Sequence, residues 1–229
     1  MELAKRLAVA AAYVPAGSVV ADIGADHAYL PIYLVKTGRC ARVIATELRS
    51  GPFQSALRQV AEHKLESNID LRLGDGLTVL KPAEAGVLVL AGMGGNTIRE
   101  ILAASPEILN TVKMLILQPQ ADPGDLRIWL AANGWKISDE QLVEEGGRIY
   151  VVISSAPGCE AVQDPLLLEL GPRLAEKKDP LFGRYLEIIA GRYERALAGM
   201  RAANSAAAVE KARATENKLV RIRRIIDCL

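Results

Sequence analysis

The feature that most constrains this chain is a fivefold alternation of short apolar runs with amphipathic segments over its first 133 residues. The runs span 18–23, 41–47, Ile69–Leu73, 86–91 and 113–117. Continuous apolar runs of this length fit strands covered on both faces. Between and before them, residues 3–14, 31–37, 51–63, 96–104 and 125–133 read as helices; Phe53, Ala56, Leu57, Val60 and Ala61, for example, stand at helical spacing. Strand and helix alternating in this way predict an α/β fold, a doubly wound parallel sheet with helices on both sides. Two further runs, 136–144 and 148–154, have almost nothing between them. They predict a terminal hairpin, which adds an antiparallel strand to the sheet.

Pro157-Gly158 marks a boundary, and from Asp164 onward only helical periodicity remains. Asp179-Pro180 reads as an N-cap followed by proline at the first helical position. An apolar stripe of Leu186, Ile189, Tyr193, Leu197 and Met200 follows, then a second through Val209, Ala212, Leu219, Ile222 and Ile226. The expected organisation is residues 1–157 as a nucleotide-binding domain and residues 165–229 as a helical, coiled-coil-like arm. Charge divides the same way. From residue 166 to the end, 13 Lys/Arg stand against 8 Asp/Glu, whereas the preceding residues hold 15 against 19. A basic appendage suits an anionic partner, although a solvated helical face carries the same charges.

The three cysteines are far apart and show no metal-ligand spacing, so no metal is expected. A sparse, odd set suits a reducing compartment. The apolar stretch near the N-terminus follows Glu2 and is interrupted by Pro15, unlike a signal peptide, and no run approaches the ~20 residues of a membrane span. A cytoplasmic protein with no membrane partner is expected, with a monomer favoured.

The chemistry concentrates at the carboxyl ends of the predicted strands, where ligands bind in such sheets. After the first strand comes Asp22-Ile23-Gly24-Ala25-Asp26-His27-Ala28-Tyr29-Leu30-Pro31. Gly24 permits close approach of the backbone to a nucleotide. A dinucleotide site needs three glycines so that a pyrophosphate can lie on the turn. Two of them are missing here, and Asp22 and Asp26 would repel a pyrophosphate. Those carboxylates suit a cofactor bearing an α-amino group and a sulfonium. Glu47, at the end of the second strand and followed by Leu48, can accept hydrogen bonds from two ribose hydroxyls. Asp75, beside Gly76 after the third strand, can accept from an adenine amine. Each acid alone reads as a solvated loop residue; three at successive strand ends do not. Gly92, Met93 and Gly94, after the fourth strand, leave room for cofactor and substrate together, with Asn96 next to them. Gln118 and Gln120 follow the fifth strand and can read a base edge.

These blocks, with Leu3, Arg6 and Leu7 ahead of them and Gly74-Asp75-Gly76-Leu77, Ala91-Gly92-Met93-Gly94-Gly95 and Leu117-Gln118-Pro119 behind, resemble the bacterial TrmK-type tRNA (adenine-N1)-methyltransferases, which act on adenine 22. The resemblance spans nearly the whole chain. It implies a class I methyltransferase fold, Rossmann-like, with a C-terminal coiled-coil-like domain, S-adenosyl-L-methionine as cofactor and tRNA as partner. An antiparallel final strand on a parallel sheet agrees with it. Where many wider relatives carry an Asp-Pro-Pro-Tyr-like motif after strand four, this chain has Ala91-Gly92-Met93-Gly94, which leaves a general base unassigned.

On this reading Asp26 stabilises the cation formed on methylated N1, or takes a proton from N6, and His27 is the second catalytic candidate, imidazole being suited to proton transfer near neutrality. Both also border the cofactor. Tyr29 is placed to stack on the target base. Arg221, Arg223 and Arg224 in the arm are expected to meet RNA phosphates. Two rivals stay open: a methyltransferase for a small metabolite, which leaves the basic arm unexplained, and a non-catalytic module that binds cofactor or RNA without turnover.

Overall fold

The computed structural model describes residues 3–162, 164–203 and 205–229. Seven strands form one sheet: β1 (Val20–Ile23), β2 (Val43–Glu47), β3 (Ile69–Leu73), β4 (Val87–Met93), β5 (Met114–Pro119), β6 (Trp135–Glu145) and β7 (Arg148–Pro157). Their order is β3-β2-β1-β4-β5-β7-β6. β1 to β5 pair in parallel, and β7 lies antiparallel between β5 and β6. The predicted hairpin is therefore present, with its second strand inserted inside the edge. The strand order reverses between β1 and β4, which opens a crevice at their carboxyl ends.

Ten helices accompany the described strands: α1 (Lys5–Tyr13), α2 (Tyr29–Lys36), α3 (Ser50–Glu62), α4 (Gly95–Ala103), α5 (Pro106–Leu109), α6 (Pro123–Ala132), α7 (Pro165–Leu170), α8 (Pro172–Lys177), α9 (Phe182–Ala202) and α10 (Ala206–Asp227). The pleat sends alternate side chains to opposite faces. Leu88, Leu90, Leu115, Leu117, Val151 and Ile153 enter one core with Ile98 and Leu102 of α4 and Leu126 and Leu130 of α6. Val87, Val89, Ile116 and Val152 enter the other with Ala10 and Ala11 of α1 and Leu30 and Leu34 of α2. This explains the unbroken apolar runs: both faces are covered, so both residue parities must be apolar. The short helix α5, which begins on Pro106, has too few residues to show a period.

The C-terminal helices do not form a wholly separate core. Leu166 and Leu170 of α7, Leu174 of α8, and Phe182 and Leu186 of α9 share the first core with Leu130, Ile137 and Leu142. A buried ion pair lies at this junction. Arg127 Nε donates to Glu140 Oε1 at 2.6 Å, both side chains being fully buried. Arg127 Nη1 donates to the carbonyl of Glu169 at 2.7 Å, and Glu140 Oε2 accepts from the Arg173 amide at 3.1 Å. Removing one partner of such a pair costs about 3–5 kcal/mol, because the other charge is left buried. Farther out, α9 and α10 form the expected helical hairpin. Leu197 and Ala212 are buried within it and stand outside the shared core.

Asp179-Pro180 does not open a helix; α9 starts at Phe182. The Asp179 carboxylate instead accepts from the amides of Leu181, at 2.9 Å, and Leu142, at 3.1 Å. It is thus tied to β6 in a turn ahead of the helix. No helix among the described residues is long and apolar enough to cross a membrane, and those residues hold no group of His, Cys, Asp and Glu suited to a metal ion.

Candidate active site

A cavity of about 1130 Å³ opens at the carboxyl ends of β1 to β4. Its lining includes Asp22, Gly24, Asp26, Tyr29, Glu47, Leu48, Asp75, Gly76, Gly92, Met93 and Gln120 from the residues singled out in the sequence. Strand register brings them together. β1 pairs with β2 and β4, and β2 with β3, so the loops after these strands face one crevice. Gly24 adopts φ +75°, and a Cβ there would lie 3.0 Å from the Met93 methyl. The amides of Gly24 and Ala25 both donate to the Thr46 carbonyl at 2.9 Å, which locks the first loop onto the end of β2.

The acids differ sharply in setting. Asp22 is 4% exposed. Burial alone pushes its carboxyl up to about 7, and no cation among the described residues lies against it. Glu47 is also buried, but held: Oε1 accepts from the Arg49 amide at 2.9 Å and Oε2 from the Asp26 amide at 3.2 Å. A carboxylate offers about four acceptor sites, so roughly two remain for hydroxyl donors. Asp75 is exposed, and its carbonyl accepts from Thr78. Asp26 sits at φ +49°, in the left-handed region, with an exposed carboxylate 3.8 Å from His27 Nε2. The His27 and Tyr29 rings stack with centroids 5.5 Å apart, and Tyr29 is 44% exposed at the cavity.

Several singled-out residues lie elsewhere. His27 and Gly94 do not line the cavity. Gln118 is fully buried; its Oε1 accepts from the Gly92 amide at 3.2 Å and its Nε2 donates to the Pro119 carbonyl at 3.2 Å. Its amide shapes the Gly92 loop instead of facing the cavity. Asn96 Nδ2 donates to Asp122 at 3.1 Å. In the arm, Arg221 pairs with Asp164 at 2.5 Å, and Arg223 with Glu187 and Glu194 at 2.5 and 2.7 Å. Arg224 is exposed. Two of these three cations thus spend their charge on neighbouring carboxylates.

The cavity also takes in residues that sequence reading passed over: Ala4, the N-cap of α1; Thr97, Glu100 and Ile101 in α4; and Arg49, Thr78, Ala104 and Ser105. The α4 positions were accessible in principle, since a helix after a glycine loop turns one face to that loop. Ahead of the first strand, Leu3, Arg6 and Leu7 were marked only through the family resemblance, and nothing local singles out Ala4.

An S-adenosyl-L-methionine molecule fits this constellation by its chemistry. Asp22 is a buried acceptor that meets no donor among the described residues, suited to an α-ammonium. Glu47 is an anchored acceptor pair, suited to ribose hydroxyls. Gly24 and Gly76 leave hollows that a Cβ would close, the second against Ile101 at 3.0 Å.

Residues 20–224 match the family model described as tRNA (adenine(22)-N(1))-methyltransferase. A Bacillus subtilis tRNA (adenine(22)-N(1))-methyltransferase is 42% identical over 187 residues, covering 80% of this chain and 79% of that protein. The crystal structure of the B. subtilis M1A22 tRNA methyltransferase TrmK superposes with TM-score 0.91 and 35% identity, over 98% of this chain and 99% of that one. Streptococcus pneumoniae Sp1610, solved in complex with S-adenosyl-L-methionine, gives TM-score 0.87 and 34% identity, over 98% and 100%.

Proposed function

The chain belongs to the tRNA (adenine(22)-N(1))-methyltransferase family, and on that premise we propose how its own residues carry out the reaction. It is an S-adenosyl-L-methionine-dependent enzyme that methylates N1 of adenine 22 in tRNA. The observation that carries this reading is the pairing of a buried, donorless Asp22 with an anchored Glu47 at adjacent strand ends of one cavity. When bound, the cofactor supplies an electrophilic methyl group on a sulfonium.

The chain's contribution is orientation and charge. Asp22 takes the α-ammonium, Glu47 the ribose hydroxyls, and Asp75 the adenine amine of the cofactor. Gly92 and Met93 bound the substrate half of the cavity, and Tyr29 offers a face on which the target base stacks. Adenine N1 has an in-plane lone pair, so its attack needs no prior deprotonation. Holding the partners in line is worth up to ~7–11 kcal/mol of the barrier. Positive charge grows on the base during transfer. The exposed carboxylate of Asp26, at the cavity wall, stabilises it. His27 stands behind Asp26 and Tyr29, and orients both. The arm of residues 165–229 braces the catalytic residues 1–157 and extends the surface offered to RNA. The enzyme works in the cytoplasm, as a monomer.

The test uses labelled cofactor with two tRNA transcripts that differ only at position 22, adenine or guanine. Label enters the adenine transcript alone. Label in both, or only in small molecules, overturns the reading.

A further inference from the structure

Three charged side chains that line the cavity, Arg6, Arg49 and Glu100, are left without a task by the mechanism above, and Arg6 is the one that stands on α1. α1 packs mainly on β4, β5, β6 and β7. Its residues Arg6 and Leu7, with Leu3 and Ala4 just before them, therefore wall the cavity on the side away from Glu47 and Asp75, which follow β2 and β3. That is the substrate side.

Arg6 is held there from two directions. Its Nη1 pairs with Glu145, the last residue of β6, and its guanidinium lies 5.7 Å from the centre of the Tyr150 ring. The same Glu145 carboxylate accepts from the Lys5 amide at 2.5 Å. It thereby supplies the cap that α1 lacks, since the N-cap residue Ala4 has no side-chain acceptor. Arg6 Nε is buried with no hydrogen-bond partner. Nη2 donates to no acceptor among the described residues, and the side chain keeps 26% of its surface exposed.

Two further cations accompany the pair: Lys5, next to Arg6 in the chain, and Arg148, the β7 residue opposite Glu145, are both exposed. Glu144, beside Glu145, is taken by Arg184 at 2.7 and 2.8 Å. A guanidinium already fixed by a carboxylate and an aromatic ring has lost its rotamer freedom before substrate arrives, so a further contact orders nothing more. Its planar fork matches a phosphate. We propose that Arg6 is a positioning residue that binds a backbone phosphate next to the target adenosine, with Glu145 and Tyr150 setting its orientation. This rests on the tRNA reading above.

The experiment uses the full chain, a tRNA transcript with adenine at position 22, and binding titrations at several salt concentrations beside steady-state kinetics. Arg6→Gln is expected to raise the KM for tRNA tenfold or more. It should lower the slope of log affinity against log salt by roughly 0.7–0.9, the share of one phosphate, and leave cofactor affinity within about twofold. Arg6→Lys keeps the slope and recovers part of the KM, because charge survives but the fork does not. Glu145→Gln keeps an oxygen that can cap α1 but removes the charge paired with Arg6 while the cation stays, so it lowers the melting temperature with the slope intact. An unchanged slope in Arg6→Gln, or an equal loss of slope in Glu145→Gln, overturns the proposal and makes Arg6 a brace for α1. A wild-type chain that labels no tRNA refutes the tRNA reading itself, a distinguishable outcome.

Discussion

Asp22→Asn tests the electrostatic logic of the cofactor site most directly. The carboxyl is 4% exposed and raised from 3.8 to about 7 by burial alone. Its folded value therefore lies above its unfolded value. Between about pH 4 and pH 7 the folded protein keeps a proton that the unfolded chain has released, so stability falls as pH rises through that window and levels off above it. Three pH units at ~1.4 kcal/mol each set a ceiling of roughly 4 kcal/mol. The isosteric amide carries no such cost. At pH 8 the ligand-free variant should be the more stable protein, by up to that amount; each kcal/mol is worth roughly 2–4 °C in a chain of this size. Near pH 4 the advantage should vanish. Cofactor binding should move oppositely. The ammonium needs an ionised partner, so wild-type binding near pH 6.5 should release up to about one proton, visible as a calorimetric enthalpy that varies with the buffer. The variant should lose that release and about 1.5–3 kcal/mol of affinity, the worth of a charge-assisted hydrogen bond. Equal melting temperatures for both proteins at pH 8, or unchanged cofactor affinity, would refute the reasoning.

Three further outcomes follow from the same geometry. Glu47→Ala removes an acceptor fixed by the amides of Asp26 and Arg49; cofactor affinity should fall at least tenfold by calorimetry, while far-ultraviolet circular dichroism stays native. Asp26→Ala should reduce kcat for tRNA methylation by 10-fold or more with cofactor affinity nearly unchanged, since its carboxylate is exposed at the cavity wall and makes no bond to Glu47; a proportional loss of both would make it a cofactor ligand. In the arm, Arg221 and Arg223 are committed to Asp164, Glu187 and Glu194. Replacing Arg221, Arg223 and Arg224 by Gln should thus cost melting temperature more than tRNA affinity. Replacing the exposed Arg192, Arg195, Lys211 and Arg213 should flatten the salt dependence of tRNA binding in gel shifts, and no change in slope would leave the arm a brace.

Local pattern determined the sheet and its acids. The predicted strands became β1 to β5; the central ones are apolar at successive positions because both faces are covered, as Val87–Leu90 and Leu115–Leu117 are, whereas the edge strand β3 alternates Ile69, Leu71 and Leu73 with the charged Asp70 and Arg72. Asp22, Glu47 and Asp75 were legible because each stands within two residues of the carboxyl end of a predicted strand, and parallel strands deliver those ends to a single edge. The hairpin of α9 and α10 was legible from its stripes. What tertiary structure alone decided involves partners far apart in the chain. Arg6 and Glu145 are 139 residues apart, and Arg221 and Asp164 are 57 apart. Nothing local says that Arg6 of the first pair lines the cavity or that the second neutralises a cation of the arm. Gln118 reads as a loop amide aimed at a ligand, yet the pairing of β5 with β4 turns it inward to the Gly92 amide. The sequence reading did not single out Arg127 and Glu140; packing α7 and α8 against α6 and β6 sealed them together. Periodicity reports which face of an element is buried. Which charges meet, and so which remain free to bind RNA, depends on how the elements are stacked.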